Sequence, residues 1–415
     1  MGKRIAVALT VIVATATACS SSHTTTASTQ PGATSTGNST SQSAGPLNVG
    51  KASVPDHITA AGVTPPHGRT YTPPKSIAGN CSADVTDALQ AWFDSVPDGS
   101  TVSLPAHACY RIEGTVMLED RHDLLLDGHG ATLQAKTAGA GKKRDRNRCQ
   151  LVLRSSSNIT VQDLIVRGAN PHAGTSKAAY VADLEAQHAF KLSGDDGVFL
   201  DRVQAYDTYG DFVNIAGRKG TPSKNITVAR STFDRSGRQG ISFTKSEDVL
   251  IVGNEIGNVA RSLFDIELDK KTSSARRIRI VANTTGPVRN FWLANKGAGV
   301  DVGDVTVTGN VTREASGGGV FVFGPLAGKR GPFTFADNVF QVTGRVSDEG
   351  SRGVFYFRNT DHVTIRHNEV HAPPDRKMPA VELHASSDAT IAGNKFVGTA
   401  KPVLADTASK NVKAS

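Results

Sequence analysis

Aromatic residues make up only 6% of the 415-residue sequence, two of them tryptophans, and nowhere are they interleaved with basic residues. No nucleic-acid surface is expected of such a chain, because stacking and phosphate neutralisation need those two residue types together. Long apolar runs are missing as well: residues 5–18 are too few for a transmembrane helix, and no longer stretch follows. The four cysteines and the histidines fall at no zinc spacing, and His367 and His371 lack the glutamate that a zinc protease places directly after its first histidine. Acidic residues are outnumbered, 38 against 46 Lys and Arg, which leaves a formal charge of +8 and favours anionic partners.

What recurs is asparagine. Asn254, Asn283, Asn310, Asn338, Asn368 and Asn394 each lie five residues after the start of a short alternating apolar segment, at Val249, Ile278, Val305, Phe333, Val363 and Ala389. Two earlier segments, from Val198 and Ile226, lack the asparagine, and the period is 23 to 30 residues. Repetition at this length signals a solenoid. Each period holds two or three runs that alternate apolar and polar residues, rich in Val, Ile, Thr and Phe and separated by Gly, Asn, Asp and Ser. No period carries a 3.6-residue pattern, so helical repeats are excluded and each run is read as a strand. Coils stacked about 4.8 Å apart then form long parallel sheets, with alternate side chains filling the interior. The asparagines stand above one another at a turn, bonding along the stack and tolerating left-handed backbone.

On these segments the chain resembles the right-handed parallel β-helix proteins of the pectin-lyase-like group over residues 77–405. The resemblance implies an all-β fold, a right-handed parallel β-helix solenoid. Residues 82–112 fit it: Ser82 or Asp84 as a cap, Val85, Leu89, Trp92 and Phe93 at helical spacing, a Pro-Asp-Gly turn and a strand. This reads as an N-terminal amphipathic cap helix closing the first coil. Residues 127–133 resemble the Gly-rich turn into the first full coils, with His129 as a turn residue.

Ahead of the solenoid, Lys3 and Arg4 precede the apolar stretch, which ends Ala16-Thr17-Ala18-Cys19 before a serine run. This resembles a bacterial lipobox, although alanine stands where leucine is usual. It implies a signal peptide over 1–19, lipidation of Cys19 and an extracytoplasmic protein held to the outer face of the cell membrane by lipid alone; ordinary secretion is the alternative. Residues 20–75, dominated by Ser, Thr, Gly, Ala and Pro, are expected to be a disordered tether, and 406–415 a C-terminal tail outside the 76–405 domain. Cys81 just before the helix and Cys109 just after it are read as a disulfide, leaving Cys149 a free thiol; Cys109 with Cys149 is the other pairing. The basic run at residues 141–148 reads as a loop that either attracts an anionic polymer or is merely solvated.

Function must come from the outward side chains, since this fold serves lyases, hydrolases, epimerases and non-catalytic proteins alike. With Phe190 and Leu192 inward, Lys191 points out, and the same parity exposes Asn214, Ser242, Asp265, Glu267, Trp292, Tyr356, Glu382 and His384. Lys191, Asn214 and Gln239 are candidate substrate contacts, and Trp292 and Tyr356 candidate stacking platforms for a sugar chain. Asp265 and Glu267 share the outer face of one strand about 6.5 to 7 Å apart, within the roughly 6.5–9.5 Å that an inverting glycoside hydrolase needs. Arg238 and Asp211 join them as catalytic candidates, Arg238 either holding a substrate carboxylate or acting as base, as arginines do in pectate lyases. Surface ion pairing is the competing reading of the same acids. Gly194-Asp195-Asp196-Gly197 resembles the acidic pair of polygalacturonases without the companion motifs, so a turn is favoured. A short helix over 177–188 is expected to fold over the groove with His172 or His188 near a substrate. No cofactor is called for; calcium would need acids on adjacent coils, and only Asp195, Asp196 and Asp201 cluster. Two readings stand: a monomeric carbohydrate-active enzyme, hydrolase or lyase, acting on a polysaccharide that is anionic if the basic excess is for binding, or a non-catalytic module that binds glycan or cell wall.

Overall fold

The structure, a computed structural model, describes residues 49–139, 147–326, 328–344 and 353–415; Cys19, the signal peptide and the tether up to residue 48 lie outside them. The alternating segments form short strands that stack into three all-parallel sheets of 13, 12 and 11 strands. The chain visits the first, second and third sheets in turn and then climbs one coil. The segment starts read from the sequence stand in register, Val198 beside Ile226, then Val249, Ile278, Val305, Phe333 and Val363. A slip of one residue would turn every apolar side chain to solvent, so alternation fixes this register. Phe190, Leu192, Phe264, Ile266 and Leu268 all point inward and are at most 1% exposed.

The asparagine ladder forms at the turn from the first sheet to the second. Asn310 Oδ1 accepts both the main-chain N–H and the Nδ2–H of Asn283, each at 2.9 Å, while Asn310 Nδ2 donates to Ile280 O and to Asn338 Oδ1. The same pattern links Asn254 to Asn394. Ser231 continues the ladder one coil earlier by donating its main-chain N–H to Asn254 Oδ1. The left-handed residue is the one before each asparagine, Gly253, Ala282, Gly309, Asp337, His367 or Gly393, rather than the asparagine itself. The side chain that crosses between coils thus keeps ordinary backbone, and its neighbour makes the corner.

A helix does form at Thr86–Ser95, with Leu89 and Phe93 buried in the core. It follows a first-sheet and a second-sheet strand, and so takes the place of the third-sheet strand in the first coil. Its Gln90 accepts the N–H of Met117 and donates to Met117 O, satisfying main-chain groups at the edge of the third sheet. Asp84, not Ser82, accepts the N–H of Thr86. Cys81 and Cys109 form the disulfide, and Cys149 is a free buried thiol.

Both ends of the assigned domain move outward. From Val49 the expected tether lies on the solenoid: Lys51 pairs with Glu255, Ala52 N–H donates to Thr284 Oγ1, Thr64 N–H to Asn158 Oδ1, Gly68 N–H to Gly99 O, and Thr70–Tyr71 joins the first sheet. This strap runs back along six coils, from the coil of Thr284 to that of Gly99. Residues 406–415 add a last strand to the first sheet, Lys413–Ala414 pairing with Thr390 and Ile391. Of the basic run 141–148, the described part is Asn147 and Arg148, and Arg148 is buried and ion-paired to Glu113 at 2.9 Å rather than solvated.

Candidate functional site

Strand alternation on the third sheet delivers a row of outward side chains, one per coil. Lys191, Asn214, Ser242 and Asp265 stand in register, followed by Ala294, Phe321, Tyr356 and Glu382. Trp292 is therefore not in the row. Its ring is fully buried, 4.9 Å from Phe264 and 5.0 Å from Phe340 between centroids, and its Nε1–H donates to Thr285 Oγ1. The preceding Phe291 takes the outer side instead, in space left by Gly318, where a Cβ would come within 2.9 Å of the ring.

Tyr356 does face outward, but not as a platform. Phe321 covers one side of its ring at 5.2 Å and 15°, and His384 packs against it at 5.3 Å. Phe291, Phe321 and Tyr356 stand stacked along the solenoid axis and so present edges rather than faces to solvent. A sugar stacks on a face, so this half of the row offers no stacking site.

The earlier half of the row lines a cleft of about 450 Å³, with Glu185, His188, Lys191, Asn214, Arg238 and Glu267 among its walls. Arg238 reaches it, with Gln239 buried beside it, from the turn after Thr232–Ser236, where Gly237 and Gly240 allow close packing: a Cβ on Gly240 would lie 2.4 Å from Leu263 O. Arg238 is the hub. Nη1 donates to Asp211 Oδ1 and Oδ2 at 3.0 and 3.1 Å, Nη2 to Glu267 Oε1 and Oε2 at 2.7 and 2.9 Å, and Nε to Glu185 Oε2 at 3.2 Å. Burial works against its charge, but Asp211 and Glu267 outweigh it and raise the guanidinium pKa further. Such a group resists giving up a proton, which argues against Arg238 as a base, and its donors are already committed to protein carboxylates.

Asp211 is fully buried. Besides Arg238 it accepts Ser242 Oγ–H at 2.6 Å and Gln239 N–H at 3.1 Å. Burial alone would push its carboxyl up, but Arg238 and its other donors hold it below the usual range. Asp265 is the opposite case. It is 1% exposed, Gln239 Nε2 donates to its Oδ2, and among the described residues Oδ1 has no partner. Burial, reinforced by the charge of Glu267, raises its pKa to about 8. The two carboxyls of the strand Phe264–Leu268 therefore differ, one ion-paired at the cleft wall and one sealed beneath Gln239.

Alternation found Lys191, Asn214, Asp265 and Glu267, the adjoining turns supplied Asp211, Arg238 and Gln239, and the structure brings all seven together. The expected helix over 177–188 is instead two 3-10 turns, Lys177–Ala179 and Ala182–Leu184. This segment carries Glu185 and His188 to the cleft, while His172 does not line it. Four lysines, Lys191, Lys219, Lys245 and Lys270, stand around the opening, and among the described residues none has a carboxylate partner. Three of them were not recognised in the sequence, because they lie in turns without periodicity. Asp195 is a turn residue, accepting the N–H groups of Ser156 and Ser193.

Similar solved structures include a DFA-IIIase of Arthrobacter chlorophenolicus A6 in complex with GF2 (TM-score 0.57, 13% identity, 82% of this chain and 92% of that one). The surface adhesin PfbA of Streptococcus pneumoniae gives a TM-score of 0.53 at 13% identity, over 80% of this chain and 91% of that one. The A-module of the mannuronan C-5 epimerase AlgE4 of Azotobacter vinelandii gives 0.51 at 13% identity, over 83% and 100%. At such identities the likeness shows the fold alone. No curated protein sequence matches the chain. The family described as "Right handed beta helix region" matches residues 149–396, more than half of the sequence, and to that family, with its parallel sheets and repeated coils, the chain belongs.

Proposed function

We propose that this is an extracytoplasmic protein that binds an acidic polysaccharide in the third-sheet cleft and hydrolyses it. The observation that carries the reading is the divided pair on Phe264–Leu268. Glu267 lines the cleft, while Asp265, beneath it, keeps a proton up to a pH of about 8. A carboxyl that keeps its proton beside one that is ion-paired supplies the two groups that acid–base cleavage of a glycosidic bond requires. The four lysines, without a carboxylate partner among the described residues, favour a polymer that bears negative charge, and the Cys81–Cys109 disulfide favours an oxidising compartment. Lipid attachment through Cys19, action as a monomer and contacts from Lys191, Asn214 and Gln239 belong to this proposal. A lyase is disfavoured by the commitment of Arg238 to three carboxylates.

One observation favours a binding module instead: Arg238 closes on both oxygens of Glu267, the salt-bridged surface a non-catalytic face would show. Reducing-end and unsaturated-product assays on the full chain, against acidic and neutral polysaccharides, separate the readings. Hydrolysis expects new reducing ends without unsaturated products, lost by about 100-fold or more in Glu267→Gln. No product, with migration retarded in gels containing one polymer, would establish the binding module.

A further inference from the structure

His188 sits at the floor of the cleft, 5% exposed, with its main chain held from two sides: its N–H donates to Ala186 O and its carbonyl accepts the N–H of Gln150. Its ring is held as well. Nδ1 accepts the main-chain N–H of Asp211 at 3.0 Å. A nitrogen whose lone pair takes an N–H carries no proton of its own, so the neutral ring is the tautomer protonated on Nε2. Nδ1 also lies 3.4 Å from Asp211 Oδ2, but that carboxylate is occupied by Arg238, Ser242 and Gln239. The arrangement is the reverse of a histidine made basic by an aspartate, in which the carboxylate accepts Nδ1–H.

We infer that His188 meets the bound ligand as a neutral hydrogen-bond donor through Nε2–H, in a tautomer imposed by the main chain of Asp211, and does not serve as a proton acceptor. This rests on the cleft being the ligand site. The charges around the ring agree. Burial lowers the imidazole pKa to about 4; Lys191 and Arg238 act in the same direction, and Asp211 and Glu185 oppose them without prevailing. The Cys149 thiol nearby is itself pushed up by burial and brings no charge. Nε2–H makes no hydrogen bond among the described residues, and beside it stands Lys191. The ligand atoms at this spot are thus acceptors, a carboxylate or hydroxyl oxygen of an acidic sugar.

Imidazole 15N spectra of the full chain, with His188 assigned by its loss in His188→Gln, decide the tautomer without any ligand. The expected result is an Nε2–H neutral ring at pH 6–8 that protonates only below about pH 5. An Nδ1–H ring, or titration between pH 6 and 7, overturns the inference. Oligogalacturonate then serves as the acidic probe. We expect its addition to shift Nε2–H, and His188→Ala to weaken binding about tenfold while His188→Gln, which keeps a donor, stays within threefold. Probe binding that moves Lys191 or Asn214 signals but leaves Nε2–H in place overturns the contact. If neither this probe nor any polymer of the assay panel binds, the cleft reading falls and the ligand contact with it, while the tautomer result stands separately.

Discussion

Asp265 is a buried carboxyl whose proton the fold retains, and this has a sign. In the unfolded chain it titrates near about 4, whereas in the fold it does so at about 8. Between those values the folded state binds more protons than the unfolded one, so stability is greatest at the acidic end and falls as pH rises through the window. Asp265→Asn removes this slope. Urea unfolding at pH 5 and pH 8 should show the native protein losing stability on the way up and the variant losing clearly less. Equal slopes would mean that Asp265 is ionised in the fold. Asp211 pulls the other way: its lowered pKa contributes stability above the ordinary carboxylate range that is lost on acidification. Arg238 ties Asp211 to Glu267, while the next residue, Gln239, holds Asp265.

The asparagine ladder shows how one repeated residue holds successive coils. In Asn310→Ala, the N–H and Nδ2–H of Asn283 lose their acceptor and Ile280 O loses its donor, all in buried surroundings. The expected cost is on the order of 2–3 kcal/mol, read as a lower urea midpoint. Asn394→Ala, at the end of the ladder and half-exposed, should cost less than half of that; equal losses would show that the bonds along the stack do not matter. The ladder, the register and the outward row of Lys191, Asn214, Asp265 and Glu267 were all legible, because strict alternation leaves each side chain one possible side. Trp292 was not. In Phe291-Trp292-Leu293 no polar residue marks a side, and the choice is made by Gly318 of the next coil. His188 was named beside His172 as near a substrate, but its tautomer was hidden: the group that sets it is a main-chain N–H 23 residues away. The strap at residues 49–69 reads as tether by composition, since single hydrogen bonds to distant coils leave no pattern.

At the scale of the molecule, the solenoid is a stack in which each coil touches mainly its neighbours, so that stability is close to a sum of adjacent terms. The strap departs from this rule. It joins the coil of Thr284 to that of Gly99, six apart, through a handful of bonds. A chain beginning at Arg69 should therefore keep its fold by circular dichroism and lose no more than about 2 kcal/mol in urea, with faster amide exchange at Ala52's former partners. Collapse of the domain would show instead that the strap is integral to it. Six coils at 4.8 Å are roughly 29 Å, whereas the sixteen residues from Ala52 to Gly68 could reach roughly 53 Å if fully extended. The strap therefore has length to spare between its anchors. It covers the back of the solenoid without bracing it, and the coils beneath can flex while both ends stay fastened.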